Sequence, residues 1–179
     1  MSADKEIART FNYLFAENHN TVIRGGATEP LYLPPQGNAR GVIRYTQNYA
    51  PSALHEIAHW CIAGSERRSL IDYGYWYVPP PRSRSEQRSF FTVEARVQAL
   101  EWLFAEASGV SFQLSADDVH DCDGGGEVGA TETSTAFARQ VERRVEAWRG
   151  QGLPRRAQRM YCALRNGAAR YHWADWLIA

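Results

Sequence analysis

Two histidines four residues apart, His55 and His59, constrain this chain more than any other feature of its sequence. Residues with that spacing lie on one face of an α-helix, with Cβ atoms about 5–6 Å apart, so both imidazole rings can bind the same metal ion. Glu56 lies one position further round the helix, beside this pair. Pro51 is typical of a first helical turn and Gly64 of a helix end, so the surrounding sequence predicts the helix that the motif requires. The alternative is a pair of ordinary histidines on a half-buried helix.

Three short apolar runs precede this helix and predict β-strands at residues 21–24, 31–33 and 42–45. Helices are expected around them, because apolar residues recur every three to four positions in the N-terminal segment and in three later segments. The first of these later helices is predicted over 92–107, one ends near Gly150, and one follows Pro154. A small sheet flanked by helices is an α+β architecture, and we expect residues 1–179 to form a single domain.

Aromatic residues are dense between positions 70 and 78, which predicts a further strand or a strand-like wall, closed by three prolines at 79–81. The polar residues that follow, 82–88, predict a loop. A second loop, acidic and rich in glycine, is expected at 117–127. Its acidic residues do not have the spacing of a calcium-binding loop, so we expect it to be solvated rather than metal-binding.

The charge balance gives no reason to expect nucleic acid or an acidic membrane as a partner, because 20 Lys and Arg residues offset 20 Asp and Glu residues. The three cysteines, Cys61, Cys122 and Cys162, are far apart, so neither a disulfide scaffold nor a cysteine zinc site is predicted. No apolar segment has the length of a signal-peptide core or of a membrane-spanning helix. The expected location is therefore the cytoplasm.

A metal ion held by two histidines needs a third protein ligand, and Glu94 is the best candidate. It begins a separate predicted helix and shares a stripe with Gln98 and Glu101, next to the apolar face. The alternative is a glutamate in a first helical turn, stabilised there by the helix dipole. Asp72 and Glu101 are reserve ligands. Glu56 points roughly 100° away from the histidine before it, so we expect it to act as a general base beside a metal-bound water.

Two histidines and one glutamate do not identify the metal. With zinc the set is typical of a hydrolase. With ferrous iron it is the facial triad of dioxygen-using hydroxylases, which keep open positions on the metal. The spacing of the residues does not distinguish these cases.

Longer segments of the chain resemble the elongation factor P hydroxylase family. The most extensive segment runs from Ser52 to Gly64 and includes both histidines. Residues 29–34 (EPLYLP), 72–77 (DYGYWY) and 98–102 (QALEW) are similar to the family as well, in the same order along the chain. The similarity covers residues 11–109 and is weaker in the arginine-rich C-terminal helices.

The resemblance implies a monooxygenase that uses dioxygen to hydroxylate the β-lysylated lysine of elongation factor P, its expected protein partner. It also implies ferrous iron as the cofactor, although zinc or another divalent metal is possible in a purified sample. The family's ligands match His55, His59 and Glu94. The fold of the family looks zincin-like and is similar to that of an endoribonuclease of ribosomal RNA maturation.

We expect the aromatic segment to bind the long cationic side chain of the substrate, because aromatic faces attract ammonium groups by roughly 0.5–2 kcal/mol. The residues expected to take part are Asp72, Tyr75, Trp76 and Tyr77, with the carboxylate of Asp72 or Glu101 paired to the ammonium. Ordinary sheet packing is the alternative explanation of these aromatics. Three other functions are alternatives. The HExxH motif also fits a zinc-dependent peptidase, and the similarity of fold together with the basic C-terminal helices also fits a metal-dependent ribonuclease. The third alternative is a non-catalytic binding protein whose metal is structural.

Overall fold

The computed structural model describes residues 2–74, 84–115 and 127–167. This part of the chain contains α-helices and a three-stranded sheet, which confirms the predicted α+β class. In chain order the elements are α1 (Ala3–Phe15), β1 (Thr21–Ala27), β2 (Leu31–Leu33), β3 (Gly41–Thr46), α2 (Ala50–Ile62), α3 (Arg84–Ser108), α4 (Glu127–Gln151) and α5 (Arg155–Arg165). Two short 3-10 segments, Arg67–Ser69 and Ile71–Gly74, lie between α2 and α3.

The sheet has β3 at its centre, with β1 parallel to it on one side and β2 antiparallel on the other. Successive side chains of a strand point to opposite faces, and on β3 this alternation buries Ile43 and Tyr45. All three predicted strands are present. The structure extends the first to Ala27 and the third by one residue at each end.

The helix that carries the histidine motif, α2, shares its core with α1. The rings of Phe11 and Phe15 lie 5.0 and 4.9 Å from the ring of Trp60, and all three side chains are fully buried. Because Trp60 is the next residue after His59, packing its indole against α1 turns the imidazole roughly 100° away around the helix. The histidines are thereby directed away from α1, and α2 packs against α3 as well.

The helix α3 packs against α2, α4 and α5. Of the apolar residues whose spacing predicts this helix, Val97, Leu100 and Phe104 are buried and Val93 is half-buried. The helix begins at Arg84, well before the predicted start, so the prediction of a loop at 82–88 is wrong from residue 84 onward. The added residues, 84–91, form about two turns and include Arg, Ser, Glu and Gln, which helices accept at little cost.

The predicted strand at residues 70–78 is wrong for the part that the structure describes. Ile71–Gly74 forms a tight turn, in which Asp72, Tyr73 and Gly74 have positive φ angles of 47°, 60° and 64°. This left-handed region is open to glycine and tolerated by aspartate, but it is unfavourable for a tyrosine. Contacts made by this turn, described below, stabilise it against the strand preference of its aromatic residues.

Several predictions fall outside the described residues, namely the rest of the aromatic segment at 75–78 and most of the glycine-rich loop at 117–126. That the chain forms one domain stays a prediction. Across the described ranges, no helix is both long enough and apolar enough to cross a membrane.

Candidate metal centre

Two helices bring the three predicted ligands together. The Nε2 atoms of His55 and His59, both on α2, are 3.1 Å apart. Glu94 on α3 places Oε1 at 3.5 Å from the Nε2 atom of His55 and Oε2 at 3.7 Å from that of His59. The ligand atoms of the three residues all lie within 4.8 Å of one another.

These separations fit one metal ion. With metal–nitrogen and metal–oxygen bonds of about 2.1 Å, two ligand atoms are about 3.0 Å apart at a right angle and about 3.4 Å apart in a tetrahedron. The observed distances of 3.1, 3.5 and 3.7 Å therefore need only small side-chain shifts to reach either geometry. Imidazole and carboxylate donors suit both zinc and ferrous iron, so the donor set leaves the choice of metal open. Binding of an ion by these residues stays a prediction.

The two histidines have opposite electrostatic environments. Burial lowers the pKa of His55, but the Glu94 carboxylate and the hydrogen bond and charge of Glu101 outweigh it and raise that pKa to about 10. Burial and the charge of His55 lower the pKa of His59 to about 4, with Glu94 opposing them only in part. The His55 ring therefore carries an extra proton at neutral pH. Its Nε2–H can donate a hydrogen bond to Nε2 of the neutral His59 ring, 3.1 Å away.

Glu101 lies behind the ring of His55. Its Oε2 atom is 2.8 Å from Nδ1, the ring nitrogen on the side away from Glu94 and His59. Glu101 was predicted as a reserve ligand, but among the described residues it is not part of the group whose ligand atoms converge. Its position two helical turns after Glu94 predicts the same face of α3, but it does not predict which nitrogen of His55 the carboxylate meets.

Gln98, for which no role was predicted, links Glu94 to a neighbouring segment. Its amide nitrogen donates to Oε1 of Glu94 at 3.2 Å and to the backbone oxygen of Ser115 at 2.8 Å. Its amide oxygen accepts from the backbone N–H of Ser115 at 3.1 Å. Gln98 is buried, so these bonds fix the Glu94 carboxylate from the side of α3. In the sequence, this role is indicated only by the position of Gln98 four residues after Glu94.

Glu56 is buried beside the two histidines. Burial raises the pKa of its carboxyl to about 7; the charge of His55 opposes this, while the carboxylates of Glu94, Asp72 and Glu101 add to it. A pKa near neutrality suits a group that must both accept and release a proton. Its expected role as a general base stays a prediction.

The turn at Ile71–Gly74 forms one wall of the site. The Tyr73 ring stacks on Tyr32 at 4.4 Å and lies parallel to the ring of His59 at 6.0 Å. The Asp72 carboxylate accepts the backbone N–H of Tyr32 at 2.7 Å. One oxygen of Asp72 therefore has a structural partner, and its expected contact with substrate stays a prediction. The other expected substrate residues, Tyr75, Trp76 and Tyr77, lie outside the described part of the chain.

An α+β fold in which two histidines from one helix and a glutamate from another converge is that of a candidate mononuclear metalloprotein. Comparison with known proteins makes this class more specific. The family model for elongation factor P hydroxylase matches residues 10–174. The elongation factor P lysine hydroxylase of Haemophilus influenzae is 41% identical over 161 residues, which cover 89% of this chain and 86% of that protein. The chain belongs to the elongation factor P hydroxylase family, which confirms the resemblance inferred from its sequence.

Proposed function

We propose that this protein is a non-haem iron monooxygenase that hydroxylates the β-lysylated lysine of elongation factor P. The observation that carries the proposal is the convergence of His55, His59 and Glu94 in a member of this family. The name of the Haemophilus influenzae relative, elongation factor P lysine hydroxylase, supports elongation factor P as the protein substrate and its lysine as the target.

In this proposal His55, His59 and Glu94 hold a single ferrous ion. A ferrous ion held by these three residues would supply the oxygen activation that amino-acid side chains do not. Glu56 lies close enough to interact electrostatically with His55 and Glu94, and its pKa near 7 suits it to take or return a proton beside the bound ion.

The walls of the site position the substrate. The buried ring of Tyr73 excludes water from one side of His59. Asp72, Tyr75, Trp76 and Tyr77 bind the cationic side chain of the modified lysine, through charge pairing and through the attraction of aromatic faces for ammonium groups. The reaction takes place in the cytoplasm, and no nucleic acid takes part, in keeping with the zero formal net charge of the chain.

A sheet packed beside the histidine-bearing helix supports the further proposal that the fold is zincin-like, similar to that of the endoribonuclease of ribosomal RNA maturation. The outer edge of β2 nevertheless argues against a peptidase. An extended peptide that adds to a sheet needs free backbone groups on the edge strand. This strand has three residues, and the N–H of Tyr32 already donates to Asp72 at 2.7 Å.

The test uses purified elongation factor P that carries the β-lysyl group. The protein is loaded with ferrous iron and supplied with a reductant and isotopically labelled dioxygen, and the modified lysine is analysed by mass spectrometry. We expect one labelled oxygen atom with the wild type and none with His59→Ala or Glu94→Ala. Glu142→Ala, an exposed change on α4, is the matched control and should retain activity.

A complementary experiment compares elongation factor P from cells with and without this protein. The oxygen atom should be missing without it and should return with the wild type but not with His59→Ala. No labelled oxygen from iron-loaded wild type would overturn the proposal. Zinc-dependent cleavage of peptides without oxygen consumption would support the peptidase instead.

A further inference from the structure

Glu101 contacts the one nitrogen of His55 that cannot reach the candidate metal. Its Oε2 atom lies 2.8 Å from Nδ1, whereas Nε2 of the same ring faces His59 and Glu94 at 3.1 and 3.5 Å. The two nitrogens point to opposite sides of an imidazole ring. Glu101 and a metal ion bound at Nε2 would therefore contact different nitrogens of the same ring, so neither would displace the other.

The chemistry of a carboxylate fixes the direction of this hydrogen bond. An ionised carboxylate has no proton to donate and can only accept, so Nδ1 of His55 must carry the hydrogen. In the neutral imidazole the lone pair is then on Nε2, the nitrogen that faces the other ligands. A ring held at Nδ1 also cannot rotate freely about its bond to Cβ, so the direction of the Nε2 lone pair is fixed as well.

The charge of the site favours the same arrangement. Glu94 and Glu101 are 9% and 7% exposed, and two carboxylates buried on one helix face are costly unless positive charge balances them. A divalent ion bound by the two histidines and Glu94 balances one carboxylate directly. It balances the other through the polarised His55 ring, whose Nδ1–H becomes a better donor.

We propose that Glu101 is a positioning residue that holds His55 in the tautomer and orientation required for metal binding through Nε2. This inference rests on the metal site of the proposed function but not on its reaction. Outer partners of this kind typically contribute 10- to 100-fold to metal affinity. Glu101 itself contacts neither the metal nor the substrate.

The first test measures zinc affinity by competition with a chromophoric chelator, with zinc alone as the probe. We expect Glu101→Ala to bind zinc about 10- to 100-fold more weakly than the wild type. Glu101→Gln should lose less, because its amide oxygen still accepts the hydrogen bond. Glu106→Gln, an exposed change on the same helix, is the control and should leave the affinity unchanged.

The second test observes the hydrogen bond itself. Nitrogen-15 NMR of zinc-loaded wild type should contain a slowly exchanging Nδ1–H signal from His55, which persists in Glu101→Gln and is lost in Glu101→Ala. If Glu101→Ala does not fold, the wild-type signal and the Glu101→Gln affinity decide the question.

Three results would overturn the inference. The first is the absence of a protected Nδ1–H signal from His55 in the wild type. The second is an unchanged zinc affinity in Glu101→Ala. The third is a loss of zinc affinity in Glu101→Ala as complete as that in Glu94→Ala, which would make Glu101 a ligand. Zinc binding is measured without elongation factor P, so the two proposals can fail separately. A failed hydroxylation assay would refute the proposed function and leave this inference intact. Normal zinc binding by the Glu101 variants would refute this inference and leave the proposed function intact.

Discussion

An arginine from the C-terminal part of the chain contacts the end of the histidine-bearing helix. The Nη2 atom of Arg156, on α5, lies 3.5 Å from the backbone oxygen of Trp60, 3.1 Å from that of Cys61 and 2.5 Å from that of Ala63. The last carbonyl groups of a helix have no partner within the helix. Arg156 supplies one, and its charge also opposes the negative end of the helix dipole. Its guanidinium lies 5.1 Å from the centre of the Trp60 ring.

We expect Arg156→Met to destabilise the fold by about 2–3 kcal/mol. A hydrogen bond from a charged donor contributes about 1.5–3 kcal/mol, and the contact with the Trp60 ring adds about 0.5–1 kcal/mol at a partly exposed site. The sum is reduced because Arg68 also donates to the Ala63 oxygen, at 2.7 Å, and stays in place in the variant. For a chain of this size, the loss corresponds to a fall in melting temperature of roughly 4–12 °C.

Urea denaturation followed by circular dichroism measures this loss. The matched control is Arg155→Met, which removes the same charge from an exposed position on the same helix and should cost less than about 0.5 kcal/mol. Equal stabilities of the two variants would refute the argument, because they would mean that the carbonyl groups of α2 gain nothing from Arg156.

Four further predictions concern the site. Gln98→Leu should weaken metal binding about 10-fold, measured by chelator competition, because Glu94 loses its amide donor; equal binding would contradict this role. Metal affinity should rise about tenfold per pH unit between pH 7 and 9, because binding displaces a proton from His55, whose pKa is about 10. Because the fold raises the pKa of His55 from 6.5 to about 10, the protonated ring stabilises the metal-free fold. This contribution to the free energy of unfolding is fully present below pH 6.5 and is lost as the pH rises towards 10. Asp72→Ala should cost about 1–2 kcal/mol in urea denaturation by freeing the N–H of Tyr32, whereas Asp72→Asn, which still accepts that bond, should cost less.

The sequence was most informative where the fold is local. The spacing of His55 and His59 predicted a helix with both rings on one face, and the i, i+4, i+7 relation of Glu94, Gln98 and Glu101 predicted that these three share one face of α3. Because each statement concerns one helix, the geometry of 3.6 residues per turn was sufficient.

The remaining features depend on contacts between distant segments. Which nitrogen of His55 meets Glu101 depends on how α2 and α3 cross, and helix periodicity contains no information about that. The strand predicted from the aromatics at 70–78 was wrong at Ile71–Gly74, where the Asp72 bond to Tyr32 and the stacking of Tyr73 outweigh β propensity. Such tertiary interactions commonly override a local preference.

The separation of the ligands along the chain has a consequence for how the protein acquires its metal. During synthesis His55 and His59 leave the ribosome well before Glu94, and two imidazoles alone bind an ion weakly. In the proposed site, tight loading must therefore wait until α3 has docked against α2. Cofactor uptake becomes a late event in maturation, and a chain that stalls before docking stays without metal and without the capacity for oxygen chemistry.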